Sequence, residues 1–410
     1  MKVKLLPLLL FATVACNTKQ PPETPPLEVR EIEYSLPYKF DQEIEAKAFE
    51  DSMDWRYQLS ATEYALKGDF QNALRHWDLG MPARDLSMSK EEEDSIHKTY
   101  EMVNAQDYIM KAAQDHRLVI INEAHHNSMH RFFTKSLLQG LYDQGYRYFG
   151  LEALSNGKFM DSELNQRKYP TQGTGYYIKD PQFGNLVREA IHIGFTLFPY
   201  EDTANAEGKF REIGQARQIA DKMRAHPDHK FLIHCGYAHA FEGKYAAWEK
   251  AMAGRLKEFI DVDPLTISQT AYMETSKAAK SAPLLKAIQP AFSAVLIDKA
   301  SGAALGYSRE NAYTDLAVFH PFTTYNAGRP NWLFRGANQK VELAIPEHKL
   351  NYPLMLLAVD TTENLHRTVP MDIVEADSTD EKVLMALPKG AYSMVMTDGE
   401  DAVVFDWEVK

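Results

Sequence analysis

From Leu118 onward, short apolar runs alternate with stretches whose apolar residues recur at helical spacing. Leu118-Val119-Ile120-Ile121 is β-branched and apolar, the pattern of a buried strand. Phe132, Phe133, Leu137, Leu138 and Leu141 then form a helical stripe, and Tyr146 to Leu151 reads as a second strand. Asp180-Pro181 opens a helix with a capping residue and a proline in its first turn, and Gly194 closes it. Thr196 to Tyr200 is strand-like despite Pro199. Phe210, Ile213, Ala216, Ala220 and Met223 mark a further helix, and Lys230 to Ile233 a fourth strand. This alternation predicts an α/β fold: a mostly parallel sheet with helices on both faces, spanning residues 116–336. Residues 46–115 read as a preceding helical segment. From 337 to 410 the helical period gives way to short runs split by Pro388-Lys389-Gly390 and Asp398-Gly399-Glu400, the pattern of a small β-sandwich.

The first residues do not belong to that pattern. Lys2 and Lys4 precede an apolar core from Leu5 to Ala12, and small residues lead to Cys16. The core is too short to span a membrane, and residues 1–15 have the form of a secretory signal. With cysteine directly after Ala15, it resembles a bacterial lipoprotein signal in which Cys16 carries the lipid. Residues 16–45, with Pro21, Pro22, Pro25 and Pro26, would then be a tether from the membrane of a cell envelope. The chain has 45 Lys and Arg against 57 Asp and Glu in 410 residues, a formal charge of −12. It has no dense basic run, which argues against nucleic acid as a partner. Cys16 and Cys235 are its only cysteines, too few for a disulfide framework.

Chemistry concentrates where strands end. In an open parallel sheet, ligands bind beyond the carboxyl ends of the strands. The first strand leads into Glu123-Ala124-His125-His126, the second into Glu152, the third into Glu201-Asp202 and the fourth into His234-Cys235-Gly236-Tyr237-Ala238-His239. Nine of the fourteen histidines lie between His116 and His239, so imidazoles gather in the same region. In an extended segment His125 and His126 cannot both face one point, so one is structural. His234 lies inside a strand and reads as structural. Cys235 reads as a small buried residue, and Arg211 and Lys135 as solvated helix positions. Carboxylates and imidazoles at one sheet edge permit two chemistries: a divalent ion that acidifies water, or a carboxylate-held histidine acting as general base. Spacing leaves both open. His125, Glu201, Asp202 and Tyr237 are candidate substrate contacts. Asp315 to His320 and Gly328 to Trp332 form a polar–aromatic stretch expected to pack a domain junction.

Glu123-Ala124-His125-His126 after an apolar strand, followed by Gly145-Tyr146-Arg147-Tyr148-Phe149-Gly150-Leu151-Glu152, resembles the opening of the erythromycin esterase family. Gly236-Tyr237-Ala238-His239 is similar to the Gly-x-x-His element of two related groups, the ChaN-like haem-binding lipoproteins and the Tiki metalloproteases. The resemblance implies a catalytic set of Glu123, His126, Glu152, Arg211 and His239. In it, His126 or His239 would be the base and Arg211 would stabilise an oxyanion. If a metal is bound, Glu123, His126, Glu152 and His239 would hold it. The family would differ here at Asn122, where it usually has glycine, and at its closely spaced His-Asn-x-His, replaced by His234 and His239. The expectation is an envelope lipoprotein that hydrolyses an ester or amide in a small molecule or peptide. The alternatives are a haem- or iron-binding lipoprotein, with Tyr237 as an axial ligand, and a non-catalytic docking protein.

Overall fold

In the computed structural model, residues 27–205, 207–377 and 382–410 are described. The signal and its Cys16 lie outside them. Strand β1 (Leu118–Glu123) is buried along its whole length, as its continuous apolar run requires. Its alternate residues enter different cores: Val119 and Ile121 pack with α1 (Met129–Asp143) and α2 (Pro181–Ile193), and Leu118 and Ile120 with α3 (Gly208–Ala225) and α4 (Met252–Phe259). The other strands are β2 (Tyr146–Leu151), β3 (Thr196–Pro199), β4 (Lys230–Gly236), β5 (Leu265–Ser268) and β6 (Leu316–Ala317). They join in the order β6-β5-β1-β4-β2-β3, and every pairing is parallel. The sheet is thus an α/β sheet covered on both faces, and β5 and β6 extend it beyond the four strands legible in the sequence. The β1–β4 register sets Glu123 beside Gly236, which brings two of the chemistry-bearing strand ends together.

The amino-terminal segment is helical, as expected, except at Tyr100–Asn104, which pairs with Ala294–Asp298. At the carboxyl end, an antiparallel sheet orders Arg30–Ile32, Ala402–Val409, Gly390–Thr397, Leu354–Asp360 and Asp372–Ala376, and a two-stranded sheet pairs Gln339–Ala344 with Lys382–Leu387. Leu343, Met385, Leu356, Met394 and Phe405 fill the space between the two sheets, the core of a small β-sandwich. Residues 30–32 therefore belong to that sheet, and a helix begins at Asp41, where the sequence suggested an extended tether to residue 45. Arg329 is buried at the junction and donates to Gly68 O, Ile373 O and Asp372, as expected for a packing role of that stretch. Among the described residues no helix is long and apolar enough to cross a membrane.

Candidate functional site

Two carboxylate–guanidinium pairs stand on opposite faces of the sheet edge. Strand alternation turns Glu123 toward α1 and α2, where Arg131 grips it with two bonds, Nε to Oε2 and Nη2 to Oε1, both 2.6 Å. Arg131 Nη1 reaches Asp180 Oδ2 at 2.5 Å, and Asp180 also caps α2 through the Gln182 N–H at 2.6 Å. Burial works against the Glu123 charge, but Arg131 outweighs it and holds this carboxyl well below its usual range. For Asp180 burial prevails, and its pKa is raised. One residue past β2, Glu152 faces the other side. Its Oε1 accepts from Arg211 Nη2 and its Oε2 from the Gly236 N–H, each at 2.6 Å. Arg211, in the first turn of α3, is held by Glu201 as well, and Gln215 donates to the same Glu201 carboxylate.

Each face adds an imidazole bound to a carboxylate. His125 Nδ1 meets Glu123 Oε1 at 2.8 Å, and its ring stacks on Tyr177 with centroids 3.9 Å apart. Because carboxylate oxygens only accept, Nδ1 carries a proton, and in the neutral ring the lone pair is on Nε2. No hydrogen bond among the described residues claims that Nε2. His239 Nδ1 donates to Glu212 Oε2 at 2.8 Å, and its Nε2 accepts from Arg211 Nη1 at 3.0 Å. Glu152 Oε1 lies 3.5 Å from the same Nε2. Burial opposes protonation of His239, but Glu152 and Glu212 outweigh it and raise its pKa above the ordinary 6.5. Trp248 stacks over the ring at 5.0 Å.

Gly236 lets these groups meet. A Cβ there would stand 2.5 Å from His125 Cε1 and 2.6 Å from Nε2, closer than any side chain tolerates. Gly236→Ala is expected to push the imidazole off Glu123 at a cost of about 1–3 kcal/mol, the usual penalty of overpacking. Urea denaturation measures that cost, and the His125 ring resonances in an NMR spectrum report the displacement. An unchanged ring environment would contradict it. Next in the chain, Tyr237 turns through the left-handed region (φ 39°), and the short helical turn Tyr237–Ala240 carries His239 back toward α3.

The structure gathers the candidates into two bonded groups, Glu123 with His125 and Glu152 with Glu201, Arg211 and His239, which approach each other at Gly236, with Tyr237 edge-on to His125 at 5.1 Å. It leaves out two candidates. His126 points away, stacked on Trp77 at 4.0 Å with Nδ1 at 3.3 Å from Tyr237 Oη, so of the adjacent pair it is His125 that belongs to the site. Asp202 braces its own loop, accepting from the Ala204 N–H and Asn205 Nδ2. His234 is buried beneath the site, 3.7 Å from Glu123, and burial lowers its pKa to about 4. Arg211 is a site residue and not the solvated helix position its periodicity suggested. Cys235 is a buried strand residue, its thiol pushed up by burial. Arg131, Asp180, Glu212, Tyr177 and Trp248 escaped the sequence reading. Their one sequence signal was the Asp180-Pro181 cap, which marks a helix start and not a charge partner.

The donor set does not fit a metal. Arg131 occupies both oxygens of Glu123, and His126 bonds to neither carboxylate. Among the described residues no three His, Cys, Asp or Glu side chains are grouped to hold an ion. The expected set of Glu123, His126, Glu152 and His239 is therefore not assembled.

No protein-family model matches this chain, and no curated protein matches it. Among solved structures, the type III effector HopBA1 is similar with a TM-score of 0.30 and 14% identity, over 43% of this chain and 90% of that one. RRSP, a MARTX toxin effector domain from Vibrio vulnificus CMCP6, aligns with a TM-score of 0.28 and 16% identity, over 50% of this chain and 43% of that one. A structure of Pasteurella multocida toxin, described for a thiol-protease-like triad in its C-terminal region, aligns with a TM-score of 0.28 and 12% identity, over 50% and 30%. The chain spans less than half the length of the latter two. Likeness at this level assigns no role to any residue here.

Proposed function

We propose that this protein is a hydrolase of ester or amide bonds that activates water with His125. The observation that carries the proposal is the chain Arg131–Glu123–His125, which fixes the imidazole tautomer and leaves Nε2 unclaimed across Gly236 from Glu152, the partner of Arg211. A carboxylate-oriented imidazole of this kind is suited to general-base catalysis. Nε2 takes a proton from water as the water oxygen bonds to the substrate carbonyl carbon. The carbonyl electrons move onto oxygen, and the second Nη1 N–H of Arg211 donates to that oxyanion. As the intermediate collapses, protonated His239 gives its Nε2 proton to the departing oxygen or nitrogen, and the acyl group leaves as a carboxylic acid.

In the neutral state His239 Nε2 accepts from Arg211. Once protonated, it has Glu152 Oε1 to turn to. Because its pKa lies above the ordinary value, the acid form is populated at low pH and lost as pH rises through that raised pKa. The rate is expected to fall along an alkaline limb above pH 6.5. Glu212→Gln, which removes one of the stabilising carboxylates, is expected to move that limb to lower pH. A pH–rate profile of both proteins checks this, and an unmoved limb would exclude His239 as the acid.

The residues also support membership in the erythromycin esterase and ChaN-like group, with an envelope location through a lipid on Cys16. The haem-binding alternative calls for a free axial ligand. Tyr237 Oη meets His126 and both nitrogens of His239 are engaged, so a haem would have to take the same His125 Nε2 that the hydrolase reading assigns to water. The test is turnover of a panel of small-molecule and peptide esters and amides by the full chain and by His125→Ala. Hydrolysis that survives the substitution would overturn the proposal.

A further inference from the structure

We infer that the site selects substrates bearing a positive charge, an ammonium or guanidinium group, near the bond to be broken. The inference rests on the hydrolase reading for its location. Three independent features of the site, around α3 and the loop before it, point to it.

The first is charge. Three carboxylates, Glu152, Glu201 and Glu212, stand around a single guanidinium, Arg211, directly or through His239. Negative charge is in excess even when His239 holds a proton. Arg211 is committed to Glu152 and Glu201, and nearby Lys209 pairs with Glu249, so a substrate carboxylate or phosphate would meet like charge without a free cation. Lys158, over the Phe159 ring, is the exception, on the outer rim. A cleft lined by one sign of charge concentrates ligands of the other.

The second is hydrogen bonding. Glu212 Oε1 and Gln215 Oε1 are buried acceptors one turn apart on α3, and neither has a hydrogen-bond partner among the described residues. Glu212 is 1% exposed and Gln215 0%. Both groups already belong to the network, through His239 and Glu201. What that wall lacks is a donor, which ammonium and guanidinium groups supply and carboxylates do not.

The third is the aromatic lining. Tyr177 and Trp248 are half-buried against His125 and His239. Ring faces attract cations, more strongly where water is partly excluded. Charge, missing donors and ring faces thus favour the same class of ligand.

Three fluorescent probes sharing one aromatic group separate the outcomes: dansylcadaverine (cationic), dansylamide (neutral) and dansylglycine (anionic), each titrated into the full chain. The cationic probe is expected to bind about 10-fold more tightly than the neutral one and the anionic probe most weakly. At 0.5 M salt that advantage is expected to shrink to about 2-fold. Glu201→Gln is expected to reduce it as well, and the salt titration of the unsubstituted protein keeps the test valid should that variant fold poorly. Equal binding of the three probes, preference for the anion, or binding of none would overturn the inference.

Binding needs no turnover, so the two proposals can fail separately. Cation preference without hydrolysis of any panel substrate would sink the hydrolase reading alone. Hydrolysis without cation preference would sink this inference alone.

Discussion

Arg131→Ala is expected to cost the α/β core about 3–5 kcal/mol, the usual penalty for stripping one partner from a buried ion pair. Arg131 is fully buried and joins two carboxylates, Glu123 and Asp180, that are almost as inaccessible to water. Without the guanidinium, both acids keep their desolvation and lose their counter-charge. Asp180 also caps α2, so a shift in its side chain would loosen a second helix. Urea denaturation at neutral pH measures the loss through the transition midpoint at constant slope. A loss below about 1 kcal/mol would mean that water already reaches the pair. Glu123→Gln with Arg131→Met is expected to be less damaging than Arg131→Ala alone, because one buried acid, Asp180, and not two is left without its counter-charge.

His125→Ala is expected to lower kcat/KM by about 10²–10⁴-fold, the range for loss of a general base. The change in stability should stay within about 1 kcal/mol, since the ring lies at the open edge of the site and its loss leaves Glu123 still paired with Arg131. His126→Ala is the informative contrast. That ring is buried against Trp77 and bonds to Tyr237, so its loss should cost stability as a cavity does while kcat changes far less. Steady-state kinetics and denaturation on both variants decide between the neighbours. A larger rate loss for His126→Ala would return the base to His126, one of the two histidines (with His239) that family resemblance offered.

The core was legible because its signal is local. Leu118 to Ile121 and Lys230 to Ile233 are apolar runs of strand length, and the register that follows places Glu123 beside Gly236. The strand ends were therefore the right places to look for chemistry. β5 was not legible, since Leu265-Thr266-Ile267-Ser268 makes no continuous apolar run, and neither was β6, whose two residues carry no period. Arg30–Ile32 was lost for another reason. Its partner strand starts at Ala402, and nothing within a short window announces a pairing across the whole chain.

Arg131 and Arg211 expose the same limit. Arg211, which helical period alone placed in water, is held between Glu152 and Glu201, and Arg131, which escaped the sequence reading, is fully buried. Hydrophobic pattern reports which positions avoid water, and a charge buried with its partner contradicts that pattern until the partner is known.

The sequence by itself determined the parallel sheet, its two covered faces and the carboxyl edge where acids and imidazoles gather, because apolar periodicity and strand ends are properties of neighbouring residues. Tertiary structure alone decided which of those groups work together. Glu123 finds Arg131 eight residues on, Arg131 finds Asp180 forty-nine away, Glu152 finds Arg211 fifty-nine away, and His239 finds Glu212 twenty-seven back. The sequence allowed only one of His125 and His126 to face the site on the premise of an extended segment, but the two occupy a turn closed by the Asn127 N–H to Ala124 O. The choice between them falls to Glu123, Tyr177 and the bare backbone of Gly236, which hold His125 in place.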